Sequence, residues 1–312
     1  MSNSNTPYDD AFRTLLTDCS RLVIPLVNVL FDSNYSPDET VNLFQNEFYI
    51  TEGDDAKRIT DSNFSIGRYS KYRYHIECQS SPDGTIIVRV FEYATQIAIS
   101  TAVSVGDNTD FNLPKSGILY LRSNGNTNEH TITVNAPNGK SLSYTVPIIK
   151  IKNYSLDKML NEGLWFLIPF YFFNFNLNEM DASDDKIEDM KATYMDLWHK
   201  LDVIVESGRL TEFEKCAIKA MCDKVAEALT LTHSNVQKGV MEIMGGQVLD
   251  YEAKRIAMAA AEKATKRNNI EAVKNMISFG VPKDKILSKY PQDIYDEALK
   301  QIQHDSNELK EM

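Results

Sequence analysis

The chain of 312 residues has 33 basic and 44 acidic residues, a net charge of −11 and a hydrophobic content of 43%. This hydrophobic content excludes a chain that is disordered throughout and predicts one or two packed domains. Both halves are acidic, −5 for residues 1–150 and −6 for residues 151–312, which excludes a uniformly basic nucleic-acid-binding surface. The four cysteines have neither metal-ligand nor disulfide spacing, which predicts a reducing, cytoplasmic location.

No membrane segment is expected. The N-terminal stretch "MSNSNTPYDD" lacks the basic start and apolar core of a signal peptide. The most apolar run, "GLWFLIPFYFFNF" at 163–175, is short for a membrane span and contains Pro169, so a buried core segment is predicted.

The N-terminal elements alternate between helix and strand. A helix is predicted to begin at Thr6, with Pro7 and Asp9 in its first turn, and a second helix start is predicted at "SPDE", residues 36–39. Strands are predicted at "VNLFQNEFYI" and "KRITDSNFSIG", separated by the acidic turn "TEGDDA".

The next strand is "YRYHIECQ", residues 72–79, because apolar and polar residues alternate along it. A helix follows at "TIIVRVFEYATQIAIS", where apolar residues recur at helical spacing. "GILYLRS" is then a strand, and Asn138-Gly139 predicts a hairpin turn.

A further helix is predicted at "YSLDKMLNEGLWFLIPF", residues 154–170. The order α-β-β-β-α-β predicts a mixed α/β core in residues 1–178.

The character of the chain changes after the acidic stretch "NEMDASDDKIEDM". Residues 179–312 are predicted to be helical, with a capping box at Thr211 and Glu214. This region is expected to support self-association or to contact DNA, which predicts a homo-oligomer. Residues 270–290 are predicted to form two helices separated at Gly280. This arrangement resembles a DNA-reading motif, but a helical hairpin is the stronger expectation.

Two carboxylates suggest a metal site. Asp61 and Glu77 lie on neighbouring predicted strands, so their carboxylates can converge at a sheet edge. Oxygen ligands suit Mg²⁺, although most strand carboxylates are merely solvated. His75 shares the face of Glu77 and could be a ligand or a proton carrier, but the stronger expectation is that it lies beyond the site and pairs across the strand. Cys78 is expected in the core.

Basic residues surround these strands. Lys57, Arg58, Arg68, Lys71 and Arg73 are candidates for contact with a DNA backbone, although charged strand ends are common. For Lys263, Lys266 and Arg267, in the helical region, a solvated helix is the stronger expectation.

Four segments together resemble the recombination-promoting nuclease and transposase-like family of bacteria, a branch of the PD-(D/E)XK nucleases. They are "YDDAFRTLL", "RITDSNFSI", "HIECQSSPDG" and "VRVFEYATQIA", in that order. The resemblance implies a PD-(D/E)XK restriction-endonuclease-like domain in residues 1–178, with a mixed sheet flanked by helices, followed by the all-helical C-terminal region 179–312. It also implies an endonuclease that hydrolyses phosphodiester bonds of DNA with Mg²⁺, or alternatively Mn²⁺, in recombination or mobile-element activity.

The resemblance assigns roles residue by residue. Asp61 and Glu77 match the metal-binding acids of the motif. Gln79 matches the third catalytic position, where the wider superfamily has Lys; an amide does not titrate, so it can only orient a water or a phosphate oxygen. Asp9 matches a further metal ligand, or is simply the acid of its helix start.

Arg89 and Tyr93 match polar positions on the helix after the strand. They are four residues apart and can face one side, towards DNA phosphate. Arg89 is alternatively a solvated residue or a partner for an acid. The alternative function for the whole chain is a catalytically inactive interaction or oligomerisation protein that retains the nuclease fold.

Overall fold

The structure is a computed structural model. It describes residues 6–44, 47–49, 57–59, 62–68, 70–80, 84–123, 125–245 and 247–311; the side chains of 47–49, 57–59 and 304–311 are outside this description. Asp61 and the predicted acidic turn at 51–56 therefore lie outside the described residues, as do the side chains of Lys57 and Arg58.

The described strands are β1 Val41–Leu43, β2 Glu47–Tyr49, β3 Lys57–Ile59, β4 Phe64–Ile66, β5 Tyr74–Gln79, β6 Val103–Val105, β7 Asn108–Asp110, β8 Lys115–Tyr120, β9 Glu129–Asn135 and β10 Ser141–Lys150. The α-helices are α1 Pro7–Asp18, α2 Ile24–Phe31, α3 Ile86–Ser100, α4 Leu156–Asn161, α5 Leu177–Asp181, α6 Asp184–Glu206, α7 Glu212–Thr230, α8 Ser234–Met244, α9 Gln247–Ser278, α10 Lys283–Leu287 and α11 Gln292–Glu311. Short 3-10 helices occupy Ser20–Val23, Ile151–Asn153 and Trp165–Asn174.

A mixed sheet forms the centre of the α/β part. Within the described residues it has six strands in the order β1-β4-β5-β8-β10-β9. The pairs β1–β4, β4–β5 and β9–β10 are antiparallel, whereas β5–β8 and β8–β10 are parallel. Because β5 and β8 are parallel, the chain must cross over between them, and α3 lies in this connection.

The sheet carries helices on both faces. Ile86 and Val90 of α3 pack with Ile118 of β8 on one face. On the other face α2 approaches β8 so closely that a Cβ at Gly117 would lie 2.5 Å from a side-chain carbon of Leu30. Only glycine fits this contact, so Gly117 fixes the position of α2 on the sheet.

Several local predictions are confirmed. The side chain of Thr6 accepts the N–H of Asp9 and that of Asp9 accepts the N–H of Thr6, which completes the capping box of α1. The Thr211 box begins α7 in the same way. The hairpin turn lies at Gly139, whose φ of +80° suits glycine, and α3 forms despite its β-branched residues.

Two helix predictions are wrong. Ser36–Glu39 forms a turn, because β1 begins at Val41 and leaves no length for a helix. The predicted helix at 154–170 ends at Asn161 and gives way to a 3-10 helix after Gly163, whose φ is +72°. A left-handed glycine ends the α-helix, and Pro169 then removes a backbone donor from the segment that follows.

The chain divides into two compact units, Met1–Leu249 and Asp250–Met312. The boundary predicted after residue 178 falls inside the first unit. The reason is that α7 packs against α1 and the 3-10 helix Trp165–Asn174, while α8 packs against α6 and α7. Helices α6–α8 therefore pack within the first unit, together with α1 and the 3-10 helix.

The second unit has a small core of its own. It comprises Ile270, Val273, Ile286, Ile294, Tyr295 and Ala298. Gly280, with a φ of +71°, ends α9 as predicted, and α10 and α11 follow. Residues 253–268 of α9 are exposed on every side of the helix.

Among the described residues, no single helix is long and apolar enough to cross a membrane. The helical segments Pro7–Asp18 and Ser20–Phe31 reach that length and composition only when they are taken together, across a bend of 113°.

Candidate active site

A row of polar side chains lies on the α3 side of the central strand β5. His75, Glu77 and Gln79 alternate with the apolar residues that face the opposite side. His75 is fully buried and Glu77 is 4% exposed, whereas Gln79 is partly exposed at the end of the strand. Burying an ionisable side chain is costly unless it is paired, so this row must be held by specific partners.

The His75 ring binds Glu77 directly. Its Nε2 lies 2.9 Å from Oε1 of Glu77, and Nδ1 lies 3.2 Å from the hydroxyl oxygen of Ser116, its cross-strand neighbour on β8. An ionised carboxylate only accepts, so Nε2–H donates to Glu77. The histidine therefore fixes the orientation of the carboxylate.

The placement of His75 differs in part from its prediction. His75 pairs across the strand as expected, through Ser116, but it does not lie beyond the site. Residues two apart on a strand are separated by about 6.6 Å, and the combined reach of a histidine and a glutamate spans that distance. Cys78, on the opposite face, is buried in the core as predicted.

Arg89 of α3 lies over the end of the row. Its Nη2 donates to Oε1 of Gln79 at 2.5 Å. The sheet and helix thus bring together Gln79 and Arg89, which the resemblance assigned to water positioning and phosphate contact. Their bond shows that the guanidinium faces the strand; it does not test those roles.

Tyr93 of α3 is buried and stands edge-on to His75. The ring centroids are 5.9 Å apart and the rings are perpendicular. This geometry suits a quadrupole contact, so the tyrosine ring restricts the histidine. Whether Tyr93 also meets phosphate stays a prediction.

Asp61 immediately precedes Ser62, and the described contacts of Ser62 bear on the proposed pairing of Asp61 with Glu77. The hydroxyl of Ser62 accepts the N–H of Ile76 at 2.6 Å and lies 3.0 Å from the carbonyl oxygen of the same residue. Ile76 immediately precedes Glu77. The sequence neighbours of the two acids are therefore bonded to each other.

Asp9 has a structural role in the N-terminus of α1. Its carboxylate accepts the N–H of Thr6 at 3.0 Å, which confirms the helix-start interpretation. Its role as a metal ligand is not excluded by this bond, because a carboxylate has several acceptor positions. That role stays a prediction.

The structure adds one feature that sequence reasoning missed, a cavity of about 780 Å³ beside the C-terminal end of β8. Arg122, Lys152 and His233 line it, and none of its described lining residues is acidic. The backbone N–H of Arg122 donates to the carbonyl of Ser80, just beyond Gln79. The signal in the sequence is the basic residue that directly follows the strand "ILYL".

The described residues contain no group of three or more His, Cys, Asp or Glu side chains arranged to hold a metal ion. Asp61 is outside that set. Comparisons of the chain with protein-family models, with curated proteins and with solved structures found no match. The nuclease resemblance therefore stays a prediction from the sequence motifs.

Proposed function

We propose that the chain is a Mg²⁺-dependent endodeoxyribonuclease of the PD-(D/E)XK type, acting in the cytoplasm in recombination or mobile-element activity. The observation that carries this proposal is the buried row on β5. His75 and Glu77 are buried on a central strand, where apolar residues would give a more stable fold. Residues that lower stability in this way occur mainly at functional sites.

The strand arrangement supports the proposed fold. β1, β4 and β5 form an antiparallel set, and α3 then leads to the parallel strand β8. Counting only the strands of the central sheet, this agrees with the α-β-β-β-α-β order that the sequence pattern predicts. Glu77 and Gln79 lie on the third strand of that set.

In this proposal Asp61, Glu77 and Asp9 hold Mg²⁺, or alternatively Mn²⁺. The donors are oxygens, which these ions prefer, and the bond between Ser62 and Ile76 supports the convergence of Asp61 with Glu77. When bound, the ion supplies positive charge to the scissile phosphate. No cation-binding role is proposed for His75.

The chain's own groups perform the positioning. His75 orients the Glu77 carboxylate through its Nε2–H. Gln79, held by Arg89, orients a water or a phosphate oxygen, and the guanidinium neutralises phosphate charge. Tyr93 keeps the histidine ring in place.

Nicking of supercoiled plasmid DNA tests the proposal. The purified chain is expected to nick the plasmid in Mg²⁺ or Mn²⁺ and to be inactive with a chelator. Glu77→Gln and Asp61→Asn should abolish nicking with the fold intact. Glu129→Gln, an exposed residue of β9, makes the same change of charge elsewhere and should retain full activity. Nicking by Glu77→Gln at the wild-type rate would refute the site.

One observation favours the alternative, an inactive interaction protein with this fold. His75 already binds Glu77, and Asp9 already caps α1, so both carboxylates have structural partners. If this alternative holds, the folded wild-type chain will not nick DNA in either Mg²⁺ or Mn²⁺.

A further inference from the structure

A second cavity, of about 750 Å³, opens in the first unit near the start of β5. Arg68, Lys71 and Arg73 contribute to its lining, and no described residue that lines it is acidic. A local excess of positive charge in a chain of net charge −11 makes this cavity a candidate anion site.

Aromatic rings lie among these cations. Tyr72 is 40% exposed, with the Nζ atoms of Lys71 and Lys115 at 5.5 and 4.6 Å from its ring centroid. The Arg73 guanidinium lies 3.0 Å from the ring centroid of Phe44. Phe111 on the same lining is largely exposed. Proteins bind single-stranded nucleic acid with these two elements: cations contact the phosphates and aromatic rings stack on the bases.

Arg73 has unused hydrogen-bonding capacity. Its Nη1 is buried and has no hydrogen-bond partner in the described part of the chain. Burial lowers the pKa of Arg73, because the charged guanidinium has lost water without gaining a carboxylate. An anionic oxygen at this atom would satisfy the donor and restore the lost solvation.

We propose that this cavity binds a single-stranded stretch of DNA, with phosphates on Lys71 and Arg73 and a base stacked on Tyr72. Base faces are accessible for stacking only outside a duplex, so the exposed ring favours a single strand. The proposal rests on the proposed function and specifies its substrate.

The position of the cavity relative to the polar row is consistent with this substrate. Arg73 lies directly before β5, and its carbonyl accepts the N–H of Lys115, which is the bond that pairs Tyr74 with Lys115. Four residues separate Arg73 from Glu77, about 13 Å along the chain at strand rise. A single strand of several nucleotides is long enough to extend from the cavity towards the proposed active site.

Binding of fluorescein-labelled oligonucleotides, measured by anisotropy with the full chain in EDTA, tests the proposal without cleavage. The probes are a 12-nucleotide single strand and the matching duplex. Lys71→Gln/Arg73→Gln should weaken single-strand binding about 25-fold in 0.1 M salt and reduce the salt slope by about 1.4, since each neutralised phosphate contributes about 0.7. Tyr72→Ala should weaken it about 5- to 150-fold and leave the slope unchanged.

Lys140→Gln/Lys158→Gln is the matched control, because it removes two exposed cations elsewhere in the first unit and should bind as the wild type does. Thermal unfolding midpoints equal to that of the wild type exclude unfolding as the cause of weaker binding. If the variant Lys71→Gln/Arg73→Gln fails to fold, Tyr72→Ala provides a second test. The proposal is overturned if the cavity variants bind the single strand as the control does, if the duplex binds more tightly, or if inorganic phosphate or a poly-glutamate peptide competes as well as the oligonucleotide.

The outcomes separate the two proposals. Loss of binding in the cavity variants together with no nicking by the wild type supports the cavity and refutes the nuclease. Nicking that requires Glu77, with unchanged binding in the cavity variants, supports the nuclease and refutes the cavity.

Discussion

The contact between His75 and Glu77 yields a prediction about stability. His75→Ala removes a fully buried ring, its bond to Glu77 and its bond to Ser116. The two hydrogen bonds contribute about 1 kcal/mol each, and the space left by the buried ring adds a cavity cost on the order of 1–3 kcal/mol. We therefore expect the free energy of unfolding to fall by about 3–5 kcal/mol, the range found when a buried ring is truncated to alanine.

Glu77→Gln should cost much less, about 1 kcal/mol, because the amide keeps the shape of glutamate and a bond to His75. Ser116→Ala removes only the bond of 3.2 Å and should cost about 1 kcal/mol as well. Since His75 orients Glu77, His75→Ala is also expected to lower plasmid nicking, provided that the variant remains folded.

Urea unfolding at pH 7.5, followed by far-UV circular dichroism, measures these differences. The double variant His75→Ala/Glu77→Gln should be more stable than the sum of the single changes predicts, because both changes act on the same contact between the two side chains. A His75→Ala variant within 1 kcal/mol of the wild type, or a double variant with strictly additive losses, would refute the reasoning.

Three further predictions concern other parts of the first unit and the C-terminal unit. Gln79→Ala should reduce nicking substantially with little change in calorimetric Mg²⁺ affinity, whereas Gln79→Lys should keep part of the activity; equal loss in both assays would contradict the positioning role. Burial raises the pKa of Asp223 to about 6, with repulsion from Glu227 adding to the effect, so its ionisation opposes folding by an amount that grows above the unfolded pKa and is complete above about pH 6. Asp223→Asn should raise the free energy of unfolding by about 1–2 kcal/mol at pH 7.5, with a gain that shrinks towards pH 4 and disappears below the unfolded pKa; a gain that is equal at both pH values would contradict the assignment. Removal of residues 250–312 should leave a folded, cooperative fragment that is monomeric by light scattering. The full chain is expected to self-associate, because residues 253–268 expose apolar side chains such as Ile256. A full chain that is monomeric at micromolar concentration would contradict this.

The sequence by itself determined the features whose causes lie within a few residues. Thr6 and Thr211 begin helices because each side chain satisfies a backbone N–H three residues on. Gly139 makes a hairpin turn because glycine alone accepts its left-handed backbone at little cost. The alternation in β5 likewise put His75, Glu77 and Gln79 on one face.

Only the tertiary structure decided which of these residues touch and which helices share a core. The buried contact of His75 with Glu77 depends on β8, which supplies Ser116, and on α3, which supplies Tyr93. Ser36–Glu39 has the residues of a helix start, but the nearby start of β1 leaves it as a turn.

The boundary between the two units was also decided by the tertiary structure and not by the local sequence. Composition changes near residue 178, yet α7 belongs to the first unit because it packs on α1 and because Arg21 binds Glu214 at 2.5 Å across 193 residues of chain. Capping and periodicity act over one or two turns, whereas packing partners are selected by the surfaces that the whole chain buries together. That selection places the candidate site beneath α3, where Arg89 contacts Gln79 and Tyr93 contacts His75.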